Sequence, residues 1–295
     1  MGKPMSRNLL KAGYPLVVYD RSSTPVKELV ADGAVEAASA KEVAERADVV
    51  ITMLPDGPDV EQAVLSLNGA LAGARLGAVL IDMSSINPLV AQKIGAACEE
   101  RGVDFLDAPV SGGEPKAIDG TLAIMAGGNQ RVFEKVTPIL QKLGATVTLT
   151  GPIGAGNVTK LANQIIVACN IAAMGEAFIL ATRAGIDPEI VFNAIKGGLA
   201  GSTVLNAKAP MVIARNFKPG FKIRLHQKDL RNALLAAEEM NVPLPLTGIV
   251  QDMITSLVED GKGDLDHSGI VMALERMASI QIAKPVSVNA GGVGD

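Results

Sequence analysis

The sequence predicts an α/β domain built on a doubly wound parallel sheet, followed by an all-α domain. Three observations point there. The chain has 295 residues, about twice the length of a typical domain. In its first half, short and nearly continuous apolar runs alternate with segments of helical period, as strands buried on both faces and joined by helices should. In its second half, helical patterns follow one another with no strand run between them.

The strand runs are 15–20 (PLVVYD), 48–54 (DVVITML), 78–84 (AVLIDMS), 104–109 (DFLDAP), 122–127 (LAIMAG) and 145–150 (ATVTLT). Helical patterns lie between them at 25–32, 40–47, 60–67 and 89–101, spaced for right-handed crossovers. A glycine-rich hinge at 151–156 leads into a long helix over 157–184, stopped by Gly185 and Pro188. Further helices are expected at 188–196, 205–215, 227–240, 246–259 and 269–280. The division is therefore 1–152, 153–284 and a disordered tail over 285–295.

Composition narrows the function. Hydrophobic residues make up 48%, enough for a core in each domain. The net charge of −4 excludes a general nucleic-acid binder, which needs a basic face. It leaves room for a local basic pocket. Two histidines (His226, His267) and two cysteines (Cys98, Cys169) without metal-ligand spacing cannot assemble a zinc triad or a cysteine protease. The cysteines read as small buried hydrophobes in a reducing compartment. The N-terminus lacks an apolar signal core, and polar residues interrupt every apolar stretch, so a cytoplasmic chain with no membrane span is expected. The stretch 165–180 is apolar nearly all round, with Asn170 and Glu176 the strongly polar exceptions, which predicts a largely buried helix and an oligomer interface.

The first chemical signal is at the start. A dinucleotide-binding domain opens with a strand, a G-x-G-x-x-G turn and a helix whose N-terminus meets the pyrophosphate. Here Gly2 precedes a helical stretch, and the run PLVVYD ends in Asp20, at the distance where an acidic residue binds the ribose hydroxyls. Arg21 beside it could pair with a 2′-phosphate, so NAD and NADP both stay open, with Asp20 favouring NAD.

Three motifs then resemble the β-hydroxyacid dehydrogenases: DAPVSGG (107–113), GAGNVTKLANQ (154–164) and H-x-K-D-L (226–230). RGVDFLDAPV, APVSGGEPKAIDGTLAIMAGG and GGLAGSTVLNAKAPMV are most similar to the branch of that family that reduces 2-hydroxy-3-oxopropanoate (tartronate semialdehyde). The resemblance covers nearly the whole chain. It implies a Rossmann domain, a long interdomain helix and a helical C-terminal domain. It also implies that a strand and two fingerprint glycines found ahead of Met1 in relatives are missing here.

The implied reaction is NAD(P)H-dependent reduction of 2-hydroxy-3-oxopropanoate to D-glycerate. The alternatives are another β-hydroxyacid or semialdehyde (3-hydroxyisobutyrate, succinic semialdehyde, glyoxylate) and a cofactor-deficient binding protein. Hydride delivery to carbon needs a proton for the developing alkoxide, and Lys160 is the candidate donor. Its competing reading is a solvated surface lysine. Asn163 and Gln164 follow at i+3 and i+4 on the same helical face, Asn163 to orient Lys160 or the substrate. Ser111, Gly112 and Gly113 follow a strand and can aim N–H and hydroxyl donors at a substrate carboxylate, or form an ordinary tight turn. By resemblance, Met53, Leu54, Pro55 and Asp59 lie along the cofactor, Ser85 contacts the nicotinamide ribose or substrate, and Lys228 contacts the cofactor. Phe221 and Asp229 line the substrate side. His226, with no carboxylate partner in sequence, reads as structural. The basic residues over 208–228 read as a charged rim or solvated face, which argues against a phosphorylated substrate. The expected partners are a small carboxylate and further copies of the chain in a homodimer or homotetramer.

Overall fold

The computed structural model describes residues 1–283; the tail expected over 285–295 lies outside them. The chain forms two compact units, Met1–Asn163 with Leu235–Val242, and Gln164–Leu234 with the residues from Pro243 onward.

The first unit runs α1 (Gly2–Lys11), β1 (Val17–Val18), α2 (Ser23–Ala31), β2 (Val35–Glu36), α3 (Ala40–Glu45), β3 (Val49–Thr52), α4 (Gly57–Leu65) and α5 (Ala70–Gly73). It continues through β4 (Val79–Asp82), α6 (Pro88–Glu100), β5 (Asp104–Asp107), β6 (Val110–Ser111), α7 (Gly113–Asp119), β7 (Leu122–Gly128), α8 (Gln130–Leu140) and β8 (Gly144–Gly151). Side chains alternate across the sheet and bury both faces. Val79 and Ile81 of β4 pack with Leu106, Ile124, Val136 and Leu140, while Leu80 packs with Val50, Val60, Ile94 and Phe105. That is why these strands read as unbroken apolar runs. Helix α1 begins at Gly2, earlier than its apolar pattern, because Pro4 falls in the first turn where no backbone N–H is needed.

Strands β3, β4 and β5 are parallel, with Thr52 opposite Asp82 and Asp82 opposite Asp107. The parallel sheet expected from the sequence is present, and beyond β5 it also takes in antiparallel pairings. Strand β7 runs antiparallel to β5 and to β6, and only β8 is again parallel to it. The short β6–α7 excursion returns the chain alongside β5 instead of crossing over the sheet. Strands β1 and β2 form a separate parallel pair, so the sheet is broken between β1 and β3 among the described residues.

Helix α9 (Ala155–Arg183) starts in the first unit and continues into the second, which adds α10 (Pro188–Ile195), α11 (Thr203–Ile213), α12 (Ile223–Glu239), α13 (Pro245–Glu259) and α14 (Val271–Ala278). A 3-10 turn at His267–Ile270 precedes α14, where one continuous helix was expected. The core of this unit gathers Ile171, Phe178, Leu205, Val212, Leu230, Ile254 and Val271. Gly175 permits the close approach of α14: a Cβ there would lie 2.8 Å from Leu274 Cδ1 and 2.9 Å from Val271 Cγ1. By length and composition α9 could cross a bilayer. Its Ala168, Ile171, Met174 and Phe178 are instead buried in the unit's core. The helix is not buried all round, however. Val158, Ala162, Ile166, Ala173, Ala177 and Leu180 form an exposed apolar stripe at helical spacing.

Candidate active site

The C-terminal ends of β1, β3 and β4 carry most residues expected to meet a dinucleotide. Helix α1 begins with neither an acidic residue in its first turn nor a side-chain cap, leaving its first N–H donors and positive dipole end for an anion. Gly2 lies against Met53, with a Cβ built on it 3.9 Å from Met53 Cβ. Asp20 is exposed just past β1, where its Oδ1 accepts from Ser22 N at 2.7 Å. Arg21 does not stand open: its Nη2 donates to Asp59 Oδ1 at 2.7 Å, joining the end of β1 to the first turn of α4. These groups fit a nicotinamide dinucleotide, with donors for a pyrophosphate at α1 and a carboxylate for ribose hydroxyls at Asp20.

The loops after β3 and β4 are tied together. Ser84 Oγ accepts from Leu54 N at 2.9 Å and donates to Asp82 Oδ1 at 2.6 Å. Thr52 Oγ1 donates to the same oxygen at 2.7 Å. Asp82 is fully buried, and its Oδ2 has no hydrogen-bond partner among the described residues. Burial pushes its carboxyl up to about 6, against the pull of these hydrogen bonds, and Asp107 adds to the rise. Ser85 follows, half-buried, and Ile86 N donates to Asn157 Oδ1 at 2.9 Å.

Asp107, the first residue of the DAPVSGG motif, holds the start of α9. Its Oδ1 accepts from Gly154 N at 2.7 Å, and its Oδ2 accepts from Asn157 N at 2.7 Å and Asn157 Nδ2 at 3.2 Å. Burial raises this carboxyl above its ordinary range, opposed by the bonds from Gly154 and Asn157. The glycine-rich segment at 151–156, read as a hinge, is therefore a pinned turn. Two further glycines make room for the carboxylate. A Cβ on Gly127 would collide with Asp107 Oδ1, and one on Gly156 would lie 2.9 Å from Oδ2. One turn beyond Asn157 stands Lys160, a buried side chain at 6% exposure rather than a solvated one. Because α9 starts at Ala155, Lys160 falls in its second turn, not its first. Asn163 is half-buried on the same face. Ser111 closes β6, and Gly112 and Gly113 follow at φ +136° and +69°, a backbone path that favours glycine.

The remaining candidates belong to the second unit. Asp229 is buried; its Oδ2 accepts from Gln164 Nε2 at 2.6 Å, and its Oδ1 lies 2.9 Å from Lys228 Nζ. Phe221 packs edge-on against both His226 and His267. His226 is fully buried, with Nε2 3.0 Å from Gln164 O and Nδ1 2.9 Å from His267 Nδ1, in keeping with a structural role. Several of the basic residues over 208–228 are engaged by carboxylates: Lys208 with Asp266 at 2.9 Å, Lys222 and Arg224 with Asp264 at 2.9 and 2.6 Å.

Comparison with known proteins decides the family. Residues 1–151 match the NAD binding domain of 6-phosphogluconate dehydrogenase, and residues 154–274 match the NAD-binding domain of NADP-dependent 3-hydroxyisobutyrate dehydrogenase. The 2-hydroxy-3-oxopropionate reductase of Escherichia coli is 44% identical over 284 residues, 96% of this chain and 97% of that one. The chain belongs to the β-hydroxyacid dehydrogenase family. It is an oxidoreductase that uses NAD or NADP. The 2-(hydroxymethyl)glutarate dehydrogenase of Eubacterium barkeri is 35% identical over 96% of this chain and 94% of that one. Among solved structures, a Mycobacterium tuberculosis 3-hydroxyisobutyrate dehydrogenase with L-serine superposes with a TM-score of 0.87 at 33% identity, covering 93% of this chain and 95% of that one.

In this β-hydroxyacid dehydrogenase, sequence reasoning missed the groups that hold the site in place: Asp82, Ser84, Asp107 and Asn157. A signal was available. Asp82 and Asp107 each follow buried apolar residues at the end of a strand inside the sheet, where an acidic side chain is buried too.

Proposed function

We propose that this chain reduces 2-hydroxy-3-oxopropanoate to D-glycerate with NADH, Lys160 supplying the proton. The observation that carries the reading is the buried Lys160, set on a helix whose first turn is anchored by Asp107 and Asn157. When bound, the nicotinamide supplies the hydride. The ammonium of Lys160 neutralises the oxygen as it gains charge and gives it a proton. Ser111, Gly112 and Gly113 hold the substrate carboxylate through backbone N–H groups and a hydroxyl, and Asn163 orients Lys160 or the substrate. Gly2, Asp20, Met53, Leu54, Pro55, Asp59, Ser85 and Lys228 bind the cofactor, while Phe221 and Asp229 line the substrate side. Arg21 already serves Asp59 and Asp20 is a carboxylate, which supports NAD over NADP. That Arg21–Asp59 pair is exposed, so the preference it lends is modest.

The substrate follows the Escherichia coli relative. The test is nicotinamide absorbance over time with 2-hydroxy-3-oxopropanoate, 3-hydroxyisobutyrate, succinic semialdehyde and glyoxylate. The expected result is a kcat/KM for the first that exceeds the others by at least about tenfold, the discrimination that pocket contacts supply. A preference for oxidising 3-hydroxyisobutyrate overturns the substrate.

The exposed stripe on α9 supports a homodimer or homotetramer in which this face meets a second copy. Ile166, 61% exposed, is its centre. Ile166→Lys should shift the mass in light scattering to a smaller species; an unchanged mass removes this face from the interface. Both cysteines are free thiols, which supports the reducing cytoplasm as its compartment.

A further inference from the structure

We infer that Ser84 is a positioning residue for the dinucleotide, latching the loop at residues 53–55 to the end of β4 through the buried carboxylate of Asp82. The inference rests on the dehydrogenase reading above, which lays that loop along the cofactor. Three features of the geometry carry it.

First, the Ser84 hydroxyl both donates and accepts. Its one proton goes to Asp82 Oδ1 at 2.6 Å, and its oxygen accepts from Leu54 N–H at 2.9 Å. An ionised carboxylate only accepts, so the direction of this relay is fixed. Second, the relay spans two adjacent parallel strands at their C-terminal ends, where α/β sheets bind their ligands. Thr52, the last residue of β3, donates to the same Asp82 oxygen at 2.7 Å, so the carboxylate grips both strands at the point where the loops depart. Third, the latch determines what the loop can offer. Leu54 N–H is taken by Ser84 and Pro55 has no N–H. From these two residues the loop therefore presents carbonyl oxygens and apolar side chains, which suit ribose hydroxyls and ring faces rather than phosphate.

The role of Asp82 in this relay is acceptance at one oxygen, not charge. Among the described residues Oδ1 takes all its hydrogen bonds, while Oδ2 is buried without one. An asparagine can offer the same carbonyl oxygen to Thr52 and Ser84, whereas an alanine cannot. Asp107, its register partner on β5, is the charged group facing it.

The test uses the purified full chain and three variants, Ser84→Ala, Asp82→Ala and Asp82→Asn. Each is examined by NADH fluorescence titration, thermal melting and steady-state kinetics. Ser84→Ala and Asp82→Ala should bind NADH about tenfold more weakly, the effect of one lost hydrogen bond and a stranded donor. The loss should appear in the KM for NADH, with kcat within about threefold, because the anchor of Lys160 runs separately through Asp107. Asp82→Asn should restore NADH affinity to near that of the unsubstituted chain. If the unsubstituted chain binds no NADH, the dehydrogenase reading itself fails. If it binds NADH and a folded Ser84→Ala variant binds equally well, the latch is only structural and the inference is overturned. If Asp82→Asn is as impaired as Asp82→Ala, charge rather than the relay matters, and it is overturned as well.

Discussion

Replacing Lys160 with methionine should lower kcat by about 10³-fold, within the range for loss of a positioned proton donor, while leaving NADH affinity nearly unchanged. Methionine keeps most of the unbranched stem and removes the ammonium. Lys160 is 6% exposed, so the stem fills buried volume and a shorter residue would mix a packing defect with the chemical one. Lys160→Arg retains charge but carries a larger, planar head that cannot place one proton at the same point, so it should not rescue turnover. Steady-state rates with 2-hydroxy-3-oxopropanoate, together with NADH titration of the same preparations, separate these effects. A Lys160→Met variant whose kcat stays within about threefold would remove Lys160 from proton transfer.

The parts of this architecture that were legible in the sequence are those whose burial is one-dimensional. Residues 79–82 are buried on both faces and read as an unbroken apolar run, so β4 could be placed within a residue or two. The direction of β7 could not. A strand's apolar pattern is the same whichever way it runs, and its sense depends on the β6–α7 excursion returning to the side it left. Strand β2 was invisible because Val35 and Glu36 are both exposed and form no run. The site divides in the same way. Lys160, Asn163 and Ser111 stood in recognisable motifs, but the acids that hold those motifs in place find their partners far along the chain. Asp107 meets Gly154 and Asn157 across separations of 47 and 50 residues, and Thr52 meets Asp82 across 30. No local pattern records such a pairing. What the sequence does record is its steric consequence: Gly127 and Gly156 stand where any Cβ would meet Asp107.

Substituting Asp107 should therefore damage stability and turnover together, although the residue is not expected to touch substrate. Its carboxylate satisfies three donors, Gly154 N, Asn157 N and Asn157 Nδ2. Asp107→Ala strands all three in a buried place, at about 1–3 kcal/mol each, partly offset because the ionised carboxyl no longer has to be desolvated. A net loss of about 2–4 kcal/mol is expected, read as a drop of several degrees in melting temperature. Asp107→Asn should be little better. Whichever way its amide turns, its NH₂ meets a backbone N–H, either Asn157 N and Nδ2 on one side or Gly154 N on the other, donor against donor. That contrast with Asp82, whose hydrogen bonds with the described residues all fall on one oxygen, makes the two asparagine variants an internal comparison. The effect on turnover follows from the path Asp107–Asn157–Lys160. Once the first turn of α9 is released, Asn157 no longer holds Ile86 N, and the buried lysine one turn on loses its fixed station. The kcat of a folded Asp107→Asn sample should fall at least about tenfold with NADH affinity nearly kept, the mark of lost positioning rather than lost binding. Gly156→Ala attacks the same place from the other side, since its Cβ would collide with the Met125 and Asp107 carbonyl oxygens and press on Asp107 Oδ2, and should reproduce both losses. If Asp107→Asn melts like the unsubstituted chain and turns over at its rate, the start of α9 is held by something other than this carboxylate.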